Sequence, residues 1–95
     1  MTAYVVFIRE NTTNPSQLEI YAEKSPAGLK GHPVTPRAVY GKHLVLEGPK
    51  IEGAVILEFP TFEEANAWYN SPPYQEALQY RLKGGNYRGF IIQGV

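Results

Sequence analysis

Three segments of this chain are apolar on both sides of a strand's two-residue repeat: 3–9 (AYVVFIR), 54–59 (AVILEF) and 88–95 (RGFIIQGV). In the first, Ala3, Val5 and Phe7 point one way, and Tyr4, Val6 and Ile8 the other. β-branched and aromatic residues in that pattern describe central strands covered on both faces. A chain of 95 residues has a modest core, and only two helical regions are legible between the strands. One layer of helices covers one face of a sheet. The other face needs a cover the chain does not supply.

The helical regions carry their own punctuation. Asn14 suits an N-cap, Pro15 the first helical position and Gln17 the third. Leu18, Tyr21 and Ala22 follow on one face, which predicts a helix over 15–25. Pro26 is expected to end or kink it, with at most one further turn over 27–30. In the second region, Thr61 and Glu64 have the spacing of a capping box, and Phe62, Ala65, Trp68 and Tyr69 form a stripe. Asn70-Ser71-Pro72-Pro73 interrupts the helix, and Ser71 is expected to cap its restart. Tyr74, Ala77, Leu78 and Arg81 then share a face up to a Gly84-Gly85 stop. Between the two regions, 37–47 (RAVYGKHLVLE) reads as a long strand bent at Gly41. Gly48-Pro49-Lys50 turns it into a hairpin with 54–59.

The element order is β-α-β-β-α-β, an α+β ferredoxin-like plan. Right-handed crossovers give a four-stranded antiparallel sheet with the first and third strands central and both helices on one face. Leaving about six apolar side chains exposed on the other face would forfeit roughly 10 kcal/mol. That is comparable to the whole stability of a small domain. A second copy stacked sheet to sheet is the expected cover, forming a homodimer.

Nine Lys and Arg balance nine Asp and Glu, so no basic field points to nucleic acid or an anionic membrane. The absence of cysteine excludes disulfides, thiolate chemistry and Cys-ligated zinc. The opening MTAYVVFIRE has no basic leader region or cleavage site, and no apolar run approaches the ~20 residues of a membrane span. A soluble, cytoplasmic protein is expected. Two histidines, His32 and His43, make a weak basis for a metal, and no phosphate loop, nucleophile elbow or dinucleotide fingerprint is present. Neither metal nor cofactor is expected.

Candidate site residues fall into three groups. Ser71, Tyr74 and Arg81 can face one pocket, with Arg81 binding a carboxylate and Tyr74 donating a hydrogen bond or proton. The same spacing is met if Ser71 caps, Tyr74 packs and Arg81 stacks on an aromatic or pairs with Glu58 or Glu64. Trp68 and Tyr69 either line a cavity for an apolar or aromatic ligand or form plain core. His43, Glu58 and Arg9 are polar positions in apolar strands. They make a site if they share one enclosed face, or else an edge histidine and two strand-end charges.

Glu58-Phe59-Pro60, Ala65, Ala67-Trp68-Tyr69, Ser71-Pro72, Tyr74-Gln75, Arg81 and Gly94 together resemble the bacterial family catalogued as domain of unknown function 1330. The resemblance spans nearly the whole chain and is most specific over 55–81. It implies a dimeric α/β barrel, in which ferredoxin-like subunits pair through their sheets. That superfamily includes monooxygenases, isomerases, dehydratases and stress-response modules, so it implies no single activity. The chain departs from the family pattern at Pro73 and in a first helix shortened by Ser25-Pro26. Two functions remain open. One is a dimer binding a small carboxylated or aromatic molecule between sheet and helices, as a binding protein or a cofactor-free proton-transfer enzyme. The other is a non-catalytic structural or stress-related dimer.

Overall fold

The structure, a computed structural model, describes residues 1–95. Its strands are β1 (Ala3–Thr12), β2 (Thr35–Val39), β3 (Gly53–Phe59) and β4 (Gly85–Gln93), and its helices are α1 (Pro15–Leu29), α2 (Phe62–Tyr69) and α3 (Pro72–Gly84). The strands form one antiparallel sheet in the order β2-β3-β1-β4. This is the ferredoxin-like α+β plan, with β1 and β3 central.

Register divides the side chains between two faces. Val5 pairs with Leu57 and Ile91, and Phe7 with Val55 and Gly89. These residues face the helices, where they meet Ala65, Trp68, Tyr74 and Leu78 in the core. Val6 pairs with Ile56 and Phe90, and Tyr4 with Glu58 and Ile92. That second face has no helix over it, and Phe90 and Ile92 are exposed.

Four local expectations are corrected. Helix α1 runs through Pro26 to Leu29. Packing holds its last turn, since Gly28 is buried and a Cβ there would lie 3.1 Å from Tyr74 Cα. The second strand stops at Val39 instead of reaching Glu47. Tyr40 has φ of 52°, a left-handed turn that carries the chain off the β3 edge. Ser71 sits at the α3 N-cap without a capping bond, and its hydroxyl donates to the Trp68 carbonyl at 2.7 Å. Pro72 and Pro73 remove two of the N–H groups a cap would serve. Thr61 does cap α2, accepting from Glu64 N at 3.1 Å, but the Glu64 carboxylate makes no return bond.

Candidate functional site

Phe7 projects from the middle of β1 under the helices. Gly89 lies opposite it on β4, and the missing Cβ leaves room for the Phe7 ring. Arg81 descends from α3 onto that ring, its guanidinium carbon 4.4 Å from the Phe7 centroid and 4.7 Å from that of Tyr87. The guanidinium is thus sandwiched between two aromatic faces. Arg81 is 4% exposed, pairs with no carboxylate, and its Nε has no hydrogen-bond partner.

Phe7 and Tyr87 line two clefts. The first, about 390 Å³, lies between α1 and the β2–β3–β1 side of the sheet. Tyr21, Tyr40, Trp68 and Arg9 line it among mostly apolar neighbours, and no lining residue is a histidine or a carboxylate. The second, about 520 Å³, lies toward β4 and contains Tyr69 and Arg81.

Two tyrosine pairs bracket the first cleft. Tyr21 and Tyr74 share a hydroxyl–hydroxyl hydrogen bond of 2.9 Å, and Tyr40 and Tyr87 share another of 2.9 Å. Burial pushes the Tyr21, Tyr40 and Tyr74 hydroxyls above the ordinary phenol range, so all three keep their protons at neutral pH. The positive charge of Arg81 opposes that rise at each of the three, so its field reaches all of them. Arg9 stacks 4.7 Å over the Tyr40 ring and lies 3.1 Å from Glu52, yet its Nε is not aligned for a hydrogen bond. The Trp68 indole nitrogen is also buried without a partner. Around the clefts, therefore, lie two buried N–H donors, of Trp68 and Arg81, with neither a hydrogen-bond acceptor nor an ion-pair partner.

Tyr40 reaches its place at a cost. A tyrosine in the left-handed region carries about 1–2 kcal/mol of strain. Its amide donates to the Ala54 carbonyl at 2.9 Å, and its ring lies where a Cβ on Gly53 would sit, 2.7 Å from Cδ1.

The structure gathers some of the sequence candidates and scatters others. Arg9, Trp68, Tyr69, Tyr74 and Arg81 surround the clefts or the aromatic stack between them. Ser71 is spent on the Trp68 carbonyl. Glu58 lies on the opposite sheet face, bound by Arg37 at 3.0 Å. His43 is exposed in the β2–β3 connection, not mid-strand. Tyr21 was read from sequence only as part of a helix face, and Tyr40 and Tyr87 were not singled out at all. Their signal was the count of seven tyrosines in a small chain. No three His, Cys, Asp or Glu side chains converge on a metal position.

A one-sided helical layer on this sheet defines a ferredoxin-like α+β protein. The family model described as Domain of unknown function (DUF1330) matches residues 2–95, and the chain belongs to that family. No curated protein matches it. Among solved structures, it is similar to a protein of unknown function from Rhodopseudomonas palustris, at 18% identity over 99% of this chain and 82% of that one, with a TM-score of 0.74. It is also similar to a dimeric ferredoxin-like protein of unknown function from Thermobifida fusca, at 15% identity over 99% and 92%, TM-score 0.67. A protein described as of the ethyl tert-butyl ether d (ethd) family, from Bacillus halodurans, matches at 10% identity over 100% of each chain, TM-score 0.65. At these identities the likeness is one of fold.

Proposed function

We propose that this protein is a homodimer, paired through its open sheet faces, in which each subunit binds a small aromatic or apolar carboxylate between helices and sheet, in the two clefts that share Phe7 and Tyr87, the second of them lined by Arg81. The observation that carries the binding reading is Arg81, a buried cation without a counter-ion. A buried charge left unpaired is costly, and an anionic ligand within its field recovers part of that cost. The tyrosine hydroxyls supply neutral donors for the acid group, and the aromatic and aliphatic lining suits an apolar body. Proton abstraction here would need a base that the lining lacks. The tyrosines are suited to donating hydrogen bonds or acting as acids, which favours binding over base catalysis.

Surface area supports the dimer. The chain exposes 6156 Å², about 700 Å² more than the ~5,500 Å² expected of a folded monomer of its mass. That excess is close to the ~800 Å² each partner buries in an ordinary interface.

The binding reading is tested by calorimetry with benzoate, phenylacetate and hexanoate against their neutral amides. Carboxylates are expected to bind and amides to bind at least tenfold more weakly, the loss of one charge-assisted contact. Equal binding of acid and amide, or no binding of any acid, would remove the proposal.

A further inference from the structure

The connection between β2 and β3 contradicts its own sequence. Residues 41–47 (GKHLVLE) carry strand-type alternation, yet they join no sheet. None of residues 41–51 makes a backbone–backbone hydrogen bond. Leu44 is 82% exposed and Leu46 85%, with Val45 half-buried between them. A groove of about 420 Å³ separates this arm from Ile8, Glu10 and Arg88 on the sheet. Ile8 and Arg88 belong to the open face, so the arm stands at its margin.

An alternating segment with unpaired amides and outward leucines is built to pair with something. Within its own chain only the outer edges of β2 and β4 are unpaired, and the arm lies on neither. Tyr40 turns it away from β3, and β1 lies between β3 and β4. The surface nearest to it is the open apolar face, with Phe90 48% and Ile92 53% exposed.

We propose that the 41–51 arm of each copy clasps the second copy of this chain, seating Leu44 and Leu46 on the partner's open sheet face at the border of the stacked sheets. This rests on the sheet-face dimer proposed above and adds to it a distinct element. The arm borders the same face, and the surface the chain exposes beyond the monomer expectation is the amount one interface would cover. The leucines that would be least soluble on a monomer thereby become anchors. The arm amides acquire partners in the same step.

The test uses the whole protein and two variants. Leu44→Ser with Leu46→Ser alters only side chains that are exposed in the single chain, so folding is expected to be preserved. Ile56→Asp places a charge in the middle of the open face. Sedimentation gives the dimer dissociation constant, and hydrogen exchange reads the amides of 41–51. The wild-type dimer is expected to protect those amides, and the serine pair to weaken dimerisation about 100-fold or more. The Ile56→Asp monomer is expected to exchange them at near-unfolded rates. A wild-type dimer that leaves the arm amides unprotected, or a serine pair that dimerises like wild type, would overturn the clasp and leave the sheet-face dimer standing. A wild-type protein that is monomeric at about 100 μM would overturn both.

Discussion

Gly89 faces Phe7 across the β1–β4 ladder so closely that a Cβ on Gly89 would sit 2.8 Å from the Phe7 ring. The ring has little freedom to retreat, because it packs against Trp68 and Tyr74 at centroid distances of 6.2 and 6.5 Å in the core. The absence of one methyl group therefore lets the platform under Arg81 lie flat. Gly89→Ala is expected to destabilise the protein by about 1–3 kcal/mol through overpacking. It should also tilt Phe7 away from Arg81. Chemical denaturation measures the first effect, and the Phe7 ring shifts in an NMR spectrum measure the second. An alanine variant as stable as wild type would mean that the ring has room to move.

Replacing Arg81 separates its two tasks. Arg81→Met keeps an apolar chain between Phe7 and Tyr87 and removes the charge. Folding stability is expected to stay within about 1 kcal/mol, because lost cation–π attraction is offset by relief of a buried unpaired charge. Carboxylate binding is expected to fall at least tenfold. Arg81→Ala should lose binding as well, and also about 2–4 kcal/mol of stability, because it opens a cavity in the aromatic stack. The pair of variants, measured by calorimetry and denaturation, distinguishes a ligand-binding arginine from a packing one. Unchanged binding in Arg81→Met would assign it to packing.

The sheet, its strand order and the one-sided helices were legible because they follow from local patterns that tertiary contacts reinforce. The runs 3–9 and 54–59 are apolar on both faces, and both became central strands. Thr61 was legible as a cap because a hydroxyl at that position needs only its own helix to form the bond. The 37–47 run misled because strand propensity says nothing about whether a neighbouring edge is available. One left-handed residue, Tyr40, removed that edge. Pro26 misled in the opposite sense, since packing of Gly28 against α3 outweighed a missing hydrogen bond. The tyrosine pairs were hidden because each joins elements distant in sequence, 53 residues apart for Tyr21 and Tyr74 and 47 for Tyr40 and Tyr87. Glu58 and Arg9 are both polar positions in apolar strands, but odd-numbered residues face the helices in β1 and β3 alike, so Arg9 lies on the helix side and Glu58 on the open face. Only the register β1 adopts with β3 puts them on different sides.

The Tyr21–Tyr74 pair should govern stability at high pH. Burial holds both phenols above their ordinary value of 10.0 in the folded protein. An unfolded chain releases those protons near pH 10, so the stabilisation is complete below that pH and lost as pH rises toward the folded values. Absorbance titration should show these tyrosines ionising only as the protein unfolds. Tyr21→Phe with Tyr74→Phe should flatten the alkaline limb of the stability curve. Each single variant strands a buried hydroxyl and should cost about 1–3 kcal/mol, and the double variant less than the sum. Additive costs would show that the two hydroxyls are not partners.

The acid limb should be set in part by a different pair. Between Pro36 and Ala38 the β2–β3 register slips, and Arg37 at that irregularity reaches Glu58 with two contacts, 3.2 Å from Nε and 3.0 Å from the terminal nitrogen. These bonds hold the Glu58 carboxyl below its ordinary value of 4.5. A folded value below the unfolded one means that the unfolded chain binds the extra proton first. The pair's contribution is thus present above about pH 4.5 and lost as pH falls through the folded value. Melting temperature should consequently fall less steeply from about pH 6 to about pH 3 in Glu58→Gln than in wild type, the two converging at the acid end. Arg37→Gln should reproduce that flattening, because either variant dissolves the same pair. High salt should have the same effect on wild type if the pair stays open to solvent, as the single chain presents it. In a dimer stacked on this face, Glu58 would be partly shielded, and the acid limb should then resist salt at protein concentrations above the dimer dissociation constant and yield to it below. Measured at two protein concentrations, the salt dependence of this one carboxylate reports whether the open face is covered. A salt effect that is equal at both concentrations would place Glu58 outside the interface.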